Sequence, residues 1–253
     1  MKPRFAAIAI ALAVLSGGQF RVPAAPSVYE TSAAFLAATL TRFLDDNMSL
    51  TATTRLVITR SEAGGSALAF EMGTALDRGK MRFDLDLTSR ANQAANTGLP
   101  QLGIRRMMFI GYPDHPLRIV FPDFKAYIEI PLDASGDVAE KAAVATSMLE
   151  RKLLGEEDIG GVATKKYQLH RTGSENKSVV WEAPSLNNLP VQLRTESGGF
   201  SYTFALSNLR QGQPDPRVFG IPASFKKLPA FEDILLAGNA RLTEQINKAL
   251  APK

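Results

Sequence analysis

His115 and His170 are the only histidines in this chain, and histidine is the commonest general base and metal ligand near neutral pH. His115 stands in the turn "PDHP", and His170 alternates with Tyr167 and Leu169, which predicts an outward-facing side chain. Neither has a partner at ligand or base spacing. The chain has no cysteine, so a zinc site would also need carboxylates. Glu156, Glu157 and Asp158 are consecutive, and Asp84 and Asp86 alternate with apolar residues. Paired carboxylates can cleave glycosides, but the alternation sends Asp84 and Asp86 to the solvent side of a strand. "GGSAL" and "SGGFSY" hold the residue types of a serine nucleophile without the G-x-S-x-G spacing. No P-loop or G-x-G-x-x-G is present. The expectation is a protein that is not an enzyme, holds no metal and needs no cofactor.

The elements around these residues are mostly strands. Met81, Phe83, Leu85 and Leu87 alternate with Lys80, Arg82, Asp84 and Asp86 in "GKMRFDLDL", the period-two signature of a half-buried strand. The same period runs through Leu56 and Ile58, through Leu68, Phe70 and Met72, through Leu117, Ile119 and Phe121, and through Ala126, Ile128 and Ile130. It returns in Tyr167 and Leu169, Val179 and Trp181, Val191 and Leu193, and finally Phe200, Tyr202, Phe204 and Leu206. "RRMMFIG" (105–111) is a further strand of unassigned parity, and 88–103 reads as a polar loop. Helical spacing predicts helices over 31–46, 136–152 and 230–250, the last interrupted at Gly238.

The N-terminus speaks to compartment. Lys2 and Arg4 precede an unbroken apolar run, Phe5–Leu15; Val22 with Ala24 suits cleavage after Ala24, and a second option lies near Gly18. Such a run is short for a membrane span, which needs about 20 apolar residues, and fits a signal peptide. Removing 1–24 takes away Lys2, Arg4 and Arg21 and lowers the net charge from +4 to +1. A near-neutral mature chain argues against nucleic-acid binding. An exported protein without cysteine suits a bacterial periplasm. The predicted organisation is a signal peptide, 1–24, and one domain, 25–253, with no stable transmembrane anchor after cleavage.

Ten to eleven strands, each with one apolar face, imply an antiparallel sheet that curls around that face. The fold class expected is therefore α+β: a curved antiparallel sheet forming an unclosed β-barrel, with helices over the concave side. Phe70, Met72, Met81, Phe83, Leu85, Met108, Ile119, Ile128, Met148, Trp181, Tyr202 and Phe204 are the expected concave lining. They would form either a packed core or a pocket, and methionine suits both, because it adapts to irregular neighbours. Arg105 and Arg106 are expected at the rim, facing anionic headgroups, or as charges that protect a strand edge.

Three stretches carry a family resemblance: "RGKMRFDLDL" (78–87), "PDFKAYIEI" (122–130) and "GGVATKKYQLHRTGSENKSVVWEAPSLNNLPVQL" (160–193). They resemble the LolA/LolB-like superfamily of bacterial envelope proteins, and most of all a family of exported domains of unknown function within it. The resemblance implies a LolA-like half-barrel and binding of a lipid or acyl chain in its concavity. The expected role is thus a periplasmic carrier of a hydrophobic ligand. The alternative is an envelope sensor or interaction module with a filled core and a protein partner.

Overall fold

The computed structural model describes residues 48–60, 67–93, 98–112, 115–130, 149–171, 177–197 and 199–250. The strands are β1 (Ser49–Arg60), β2 (Ala67–Asp77), β3 (Lys80–Asp86), β4 (Arg106–Gly111), β5 (Leu117–Phe121), β6 (Ala126–Ile130), β7 (Leu149–Ile159), β8 (Val162–Arg171), β9 (Lys177–Ala183), β10 (Leu189–Ser197), β11 (Phe200–Gln211) and β12 (Lys226–Lys227). Among the described residues the helices are the single turn α1 (Arg90–Gln93) and α2 (Phe231–Leu250).

All twelve strands belong to one sheet, ordered β12-β6-β5-β4-β3-β2-β1-β11-β10-β9-β8-β7. It is two antiparallel meanders, β1–β6 and β7–β11, joined where β1 pairs antiparallel with β11. Among the described residues only the β12–β6 pair is parallel. The outermost strands do not pair with each other, so this is the expected curved, unclosed barrel of the α+β class. Local turn chemistry builds the hairpins. Arg78 and Gly79 (φ 47° and 80°) join β2 to β3, and Asn187 and Asn188 (φ 55° and 57°) join β9 to β10. Successive positive φ values give the turn twist that matches two twisted strands. Lys125 (φ 49°) makes the lysine turn into β6.

Two devices finish what the strands leave open. Strand β3 stops at Asp86, so β2 loses its neighbour beyond Met72. The side chain of Asn92, on α1 and 2 % exposed, takes that place. Its Oδ1 accepts from the Glu71 amide (2.6 Å), and its Nδ2 donates to the carbonyls of Glu71 (2.9 Å) and Asp86 (2.7 Å). The chain after β11 then crosses the far side of β3–β5. Tyr112 donates to the Phe219 carbonyl (2.5 Å) and Arg82 to that of Val218, and Ile110 and Val120 are fully buried on that side. β12 is held by the Lys227 ammonium, which donates to Glu129 (2.6 Å). α2 follows, with Phe231 stacked on Phe121 (5.7 Å) and Ile234 fully buried.

Several elements differ from the sequence reading. Helix 31–46 and most of 136–152 lie outside the described residues, but Leu149–Lys152 belong to β7 rather than to a helix. Strand β7 has no apolar alternation (LERKLLGEEDI), because it lies at the sheet's edge and has little to bury. The loop 88–103 contains α1 and a 3-10 turn, Leu99–Leu102. Helix α2 continues through Gly238, which is there for close packing: a Cβ would stand 2.6 Å from the Leu102 carbonyl oxygen.

Asn92→Ala removes three partly buried hydrogen bonds and should lower unfolding free energy by about 2 kcal/mol, measured by urea titration. Asn92→Asp should be equally harmful, because a carboxylate cannot donate to the two carbonyls. The β12 latch should weaken in acid. The Lys227 hydrogen bond, reinforced by Arg118, holds the Glu129 carboxyl below the usual glutamate range despite partial burial. A lowered folded-state pKa gives stability that is complete above the unfolded-state value and lost as pH falls through the folded one. The Leu228 amide, bonded to the Tyr127 carbonyl (2.8 Å), should lose hydrogen-exchange protection over that acid window. In Glu129→Gln its protection should not change there.

Candidate functional site

Residues directly opposite each other on paired strands share a face, so the register assigns every expected lining residue to a side. Thr74, Phe83, Phe109, Ile119 and Ile128 form one row across β2–β6. Met72, Leu85 and Met107 form a parallel row, and Leu76 pairs with Met81. Through β1, Phe70 stands opposite Leu56, which faces Phe204 and then Leu193, Val180 and Tyr167. Ile58 faces Tyr202 on the same side.

Phe70, Met72, Met81, Phe83, Leu85, Ile119, Ile128, Tyr202 and Phe204 therefore share one continuous apolar face. Tyr202 is half-buried, and the other eight are 1–7 % exposed. Polar groups on this face are paired: Thr54 with Thr74 (2.6 Å) and Ser178 with Thr195 (2.7 Å). Met148 lies outside the described residues. Met107, Phe109, Val180 and Leu193 are buried on the same face; of these Leu193 is expected inward from its alternation with Val191, and Phe109 and Val180 are not in the expected lining. For the two in "RRMMFIG", only a register could have shown which parity faces inward.

Two lining expectations are corrected. Met108 points to the opposite side, where its sulfur accepts from the Arg82 guanidinium (2.9 Å), because Met107 occupies the inner position opposite Leu85. Trp181 also lies on the opposite side. Val180, not Trp181, pairs with Leu193 and so continues the apolar row. In "SVVWEA" the more apolar parity is Val179, Trp181 and Ala183, yet the register turns the other one, Ser178 with Val180, inward.

Trp181 is nonetheless buried. Its Nε1 donates to Glu157 Oε2 (2.9 Å), Lys166 lies over its ring (4.9 Å), and the Lys166 ammonium also donates to Glu157 (3.0 Å). The Trp181 hydrogen bond and then Lys166 hold the Glu157 carboxyl below the usual glutamate range. Next to this triad, Glu156, Glu157, Asp158, Ala163, Thr164, Lys165, Pro184 and Ser185 line an open cleft of about 500 Å³.

The rim arginines are exposed, and their backbone amides donate to Asp123 Oδ2 (2.9 and 3.0 Å). Arg106 stands opposite Asp86 on β4, an interior strand, so it protects no edge. His115 packs edge-on against Tyr112 (6.0 Å) and His170 is exposed on β8. Asp84 is paired with Arg82 (2.7 Å). Among the described residues, no three His, Asp or Glu side chains are grouped to hold a metal, and no helix is long and apolar enough to cross a membrane.

No protein-family model and no curated protein matches this chain. Solved structures do. An uncharacterised conserved protein from Thermus thermophilus is similar at 8% identity, over 76% of this chain and 96% of that one, with a TM-score of 0.47. A LolA-superfamily protein from Nitrosomonas europaea is similar at 11% identity, over 75% and 97% of the two chains, with a TM-score of 0.37. A chain of the MucA/MucB complex of Pseudomonas aeruginosa is similar at 13% identity and a TM-score of 0.42, over 76% of this chain and 62% of that one.

The single tryptophan makes the outer triad measurable. Trp181 emission should change as pH falls through the lowered Glu157 value, because a neutral carboxyl is a weaker acceptor. Glu157→Gln should abolish that acid transition. A transition unaltered by the substitution would show that the fluorescence reports something other than this contact.

Proposed function

We propose that this protein is a non-enzymatic, exported carrier that binds a lipid or acyl chain against the apolar face of its unclosed sheet, in the periplasm. The observation that carries this reading is the continuous apolar face that runs across the sheet. Phe70, Met72, Met81, Phe83, Leu85, Ile119, Ile128 and Phe204 meet on one face, whereas Arg55, Glu71 and Arg194 on the other are exposed. Such a face is chemically inert toward a substrate but solvates hydrocarbon. Burial of methylene groups is worth about 0.8 kcal/mol each, so ten would supply about 8 kcal/mol before ordering costs. That corresponds to a dissociation constant on the order of micromolar. Met72, Met81 and Met107 add side chains that repack around ligands of different shape. The signal-like segment 1–24 supports export and the lack of cysteine supports a periplasmic site.

The low exposure of the same residues favours a second reading, an envelope sensor or protein-interaction module whose core is filled by its own side chains. Ligand content separates the two. Native mass spectrometry of protein purified from its producing cells should show adducts of lipid mass, and a fluorescent fatty acid should bind stoichiometrically. Trp181 emission should stay constant during that titration, because the ring lies on the opposite side, whereas a tryptophan introduced by Phe204→Trp should respond. Adduct-free protein that ignores the probe would leave the second reading.

A further inference from the structure

The two ends of the sheet are unlike. One is β12, two residues long and both lysines, a short and charged edge of the kind that discourages strand addition. The other is β7, eleven residues long, with no strand on its outer side among the described residues. It is exposed along most of its length, and it holds Leu153 (55 %) and Leu154 (45 %), two of the three exposed large hydrophobics among the described residues. The apolar row that runs Phe70, Leu56, Phe204, Leu193, Val180, Tyr167 ends on Leu153 in the open.

The charges on this edge are divided. Arg151 and Lys152 precede the two leucines, and Glu156, Glu157 and Asp158 follow them. The β7–β8 register shifts between Leu153 and Gly155, which leaves Leu154 as the extra residue of a bulge. The bulge swaps the faces of the second half, so Arg151 shares a side with Glu156 and Asp158, and Lys152 shares one with Glu157.

We propose that two copies of this chain associate by antiparallel pairing of their β7 edges about a two-fold axis. Placing Arg151 opposite Asp158 of the second copy puts Lys152 opposite Glu157 of the second copy in the same register, with faces matched. Each contact occurs twice, Leu154 lies beside the axis opposite Gly155 of the second copy, and the Leu153 stem covers that of Glu156 of the second copy. The outer backbone groups of β7, which have no strand neighbour among the described residues, find partners. A parallel neighbour would instead set like charges side by side, which disfavours it. Because a two-fold contact uses both edges at once, it closes at a dimer and does not continue into fibres. Lys152 and Glu156 have no ion pair among the described residues. Arg151 reaches back over β8 to Glu182 and Glu157 reaches back to Lys166 on β8, and they would share these partners with Asp158 and Lys152 of the second copy.

Sedimentation equilibrium of the purified protein should give twice the monomer mass at low ionic strength, with dissociation strengthening as salt is raised. Lys152→Glu should shift the equilibrium toward monomer by tenfold or so, since it opposes two carboxylates. The chain has no cysteine, so single replacements report proximity cleanly. Leu154→Cys should oxidise rapidly to a disulfide-linked dimer, whereas Gln213→Cys, exposed elsewhere, should not. A wild-type protein that is monomeric at every concentration, a Lys152→Glu dimer as strong as wild type, or equal cross-linking at both cysteines would each overturn the proposal.

Discussion

The pairing of β1 with β11 is the contact on which the rest of the structure depends. Every other antiparallel pair in the sheet joins strands that follow one another in sequence, and turns such as Arg78-Gly79 and Asn187-Asn188 set those registers. The β1–β11 pair brings together residues about 150 apart, matching Leu56 to Phe204 and Ile58 to Tyr202. A slip of one residue there would turn the apolar side of one meander against the polar side of the other. In the observed register the two apolar faces become one, from Ile128 on β6 to Tyr167 on β8. The non-local contact also carries the largest loop-closure cost, so it should form late in folding.

One face gathering apolar side chains leaves the other to handle charge. The outer side carries its own small arrangements. Arg82 ties Asp84, Met108 and the Val218 carbonyl together, and Trp181 sits between Lys166 and Glu157. These contacts fasten the crossing segment 212–225 and the β7–β8 hairpin without intruding on the apolar face. The division of labour is what makes a binding role on the inner face compatible with a rigid frame. Most of the charged contacts of the frame lie outside the apolar face, and the polar groups on that face, Thr54 with Thr74 and Ser178 with Thr195, are paired with one another.

Most of this architecture was legible because one-sided strands announce themselves. Nine of the twelve expected lining residues fell on the shared apolar face from period-two alternation alone, among them the Met81-Phe83-Leu85 set. The failures share a cause. "RRMMFIG" is apolar at both parities, and in "SVVWEA" the more apolar parity is the outer one, so alternation could not single out Met107 and Val180, which the cross-strand register selects. Strand β7 was hidden for the opposite reason: an edge strand that buries almost nothing has no reason to alternate, and its leucines and charges read as a helix end. Asn92 gave no signal either, because a side chain that substitutes for a missing strand neighbour is recognisable only once the strand's length is known.

Methyl-resolved NMR tests the central claim most directly, because methionines mark both sides of the sheet. Met107 and Met108 are adjacent in sequence and opposite in orientation. With methionine methyls labelled, titration with a fatty acid should shift Met72, Met81 and Met107 and show contacts from them to the acyl chain, while Met108 stays fixed. Unmoved inner methyls, or a response as large at Met108 as at Met107, would contradict a ligand on the apolar face.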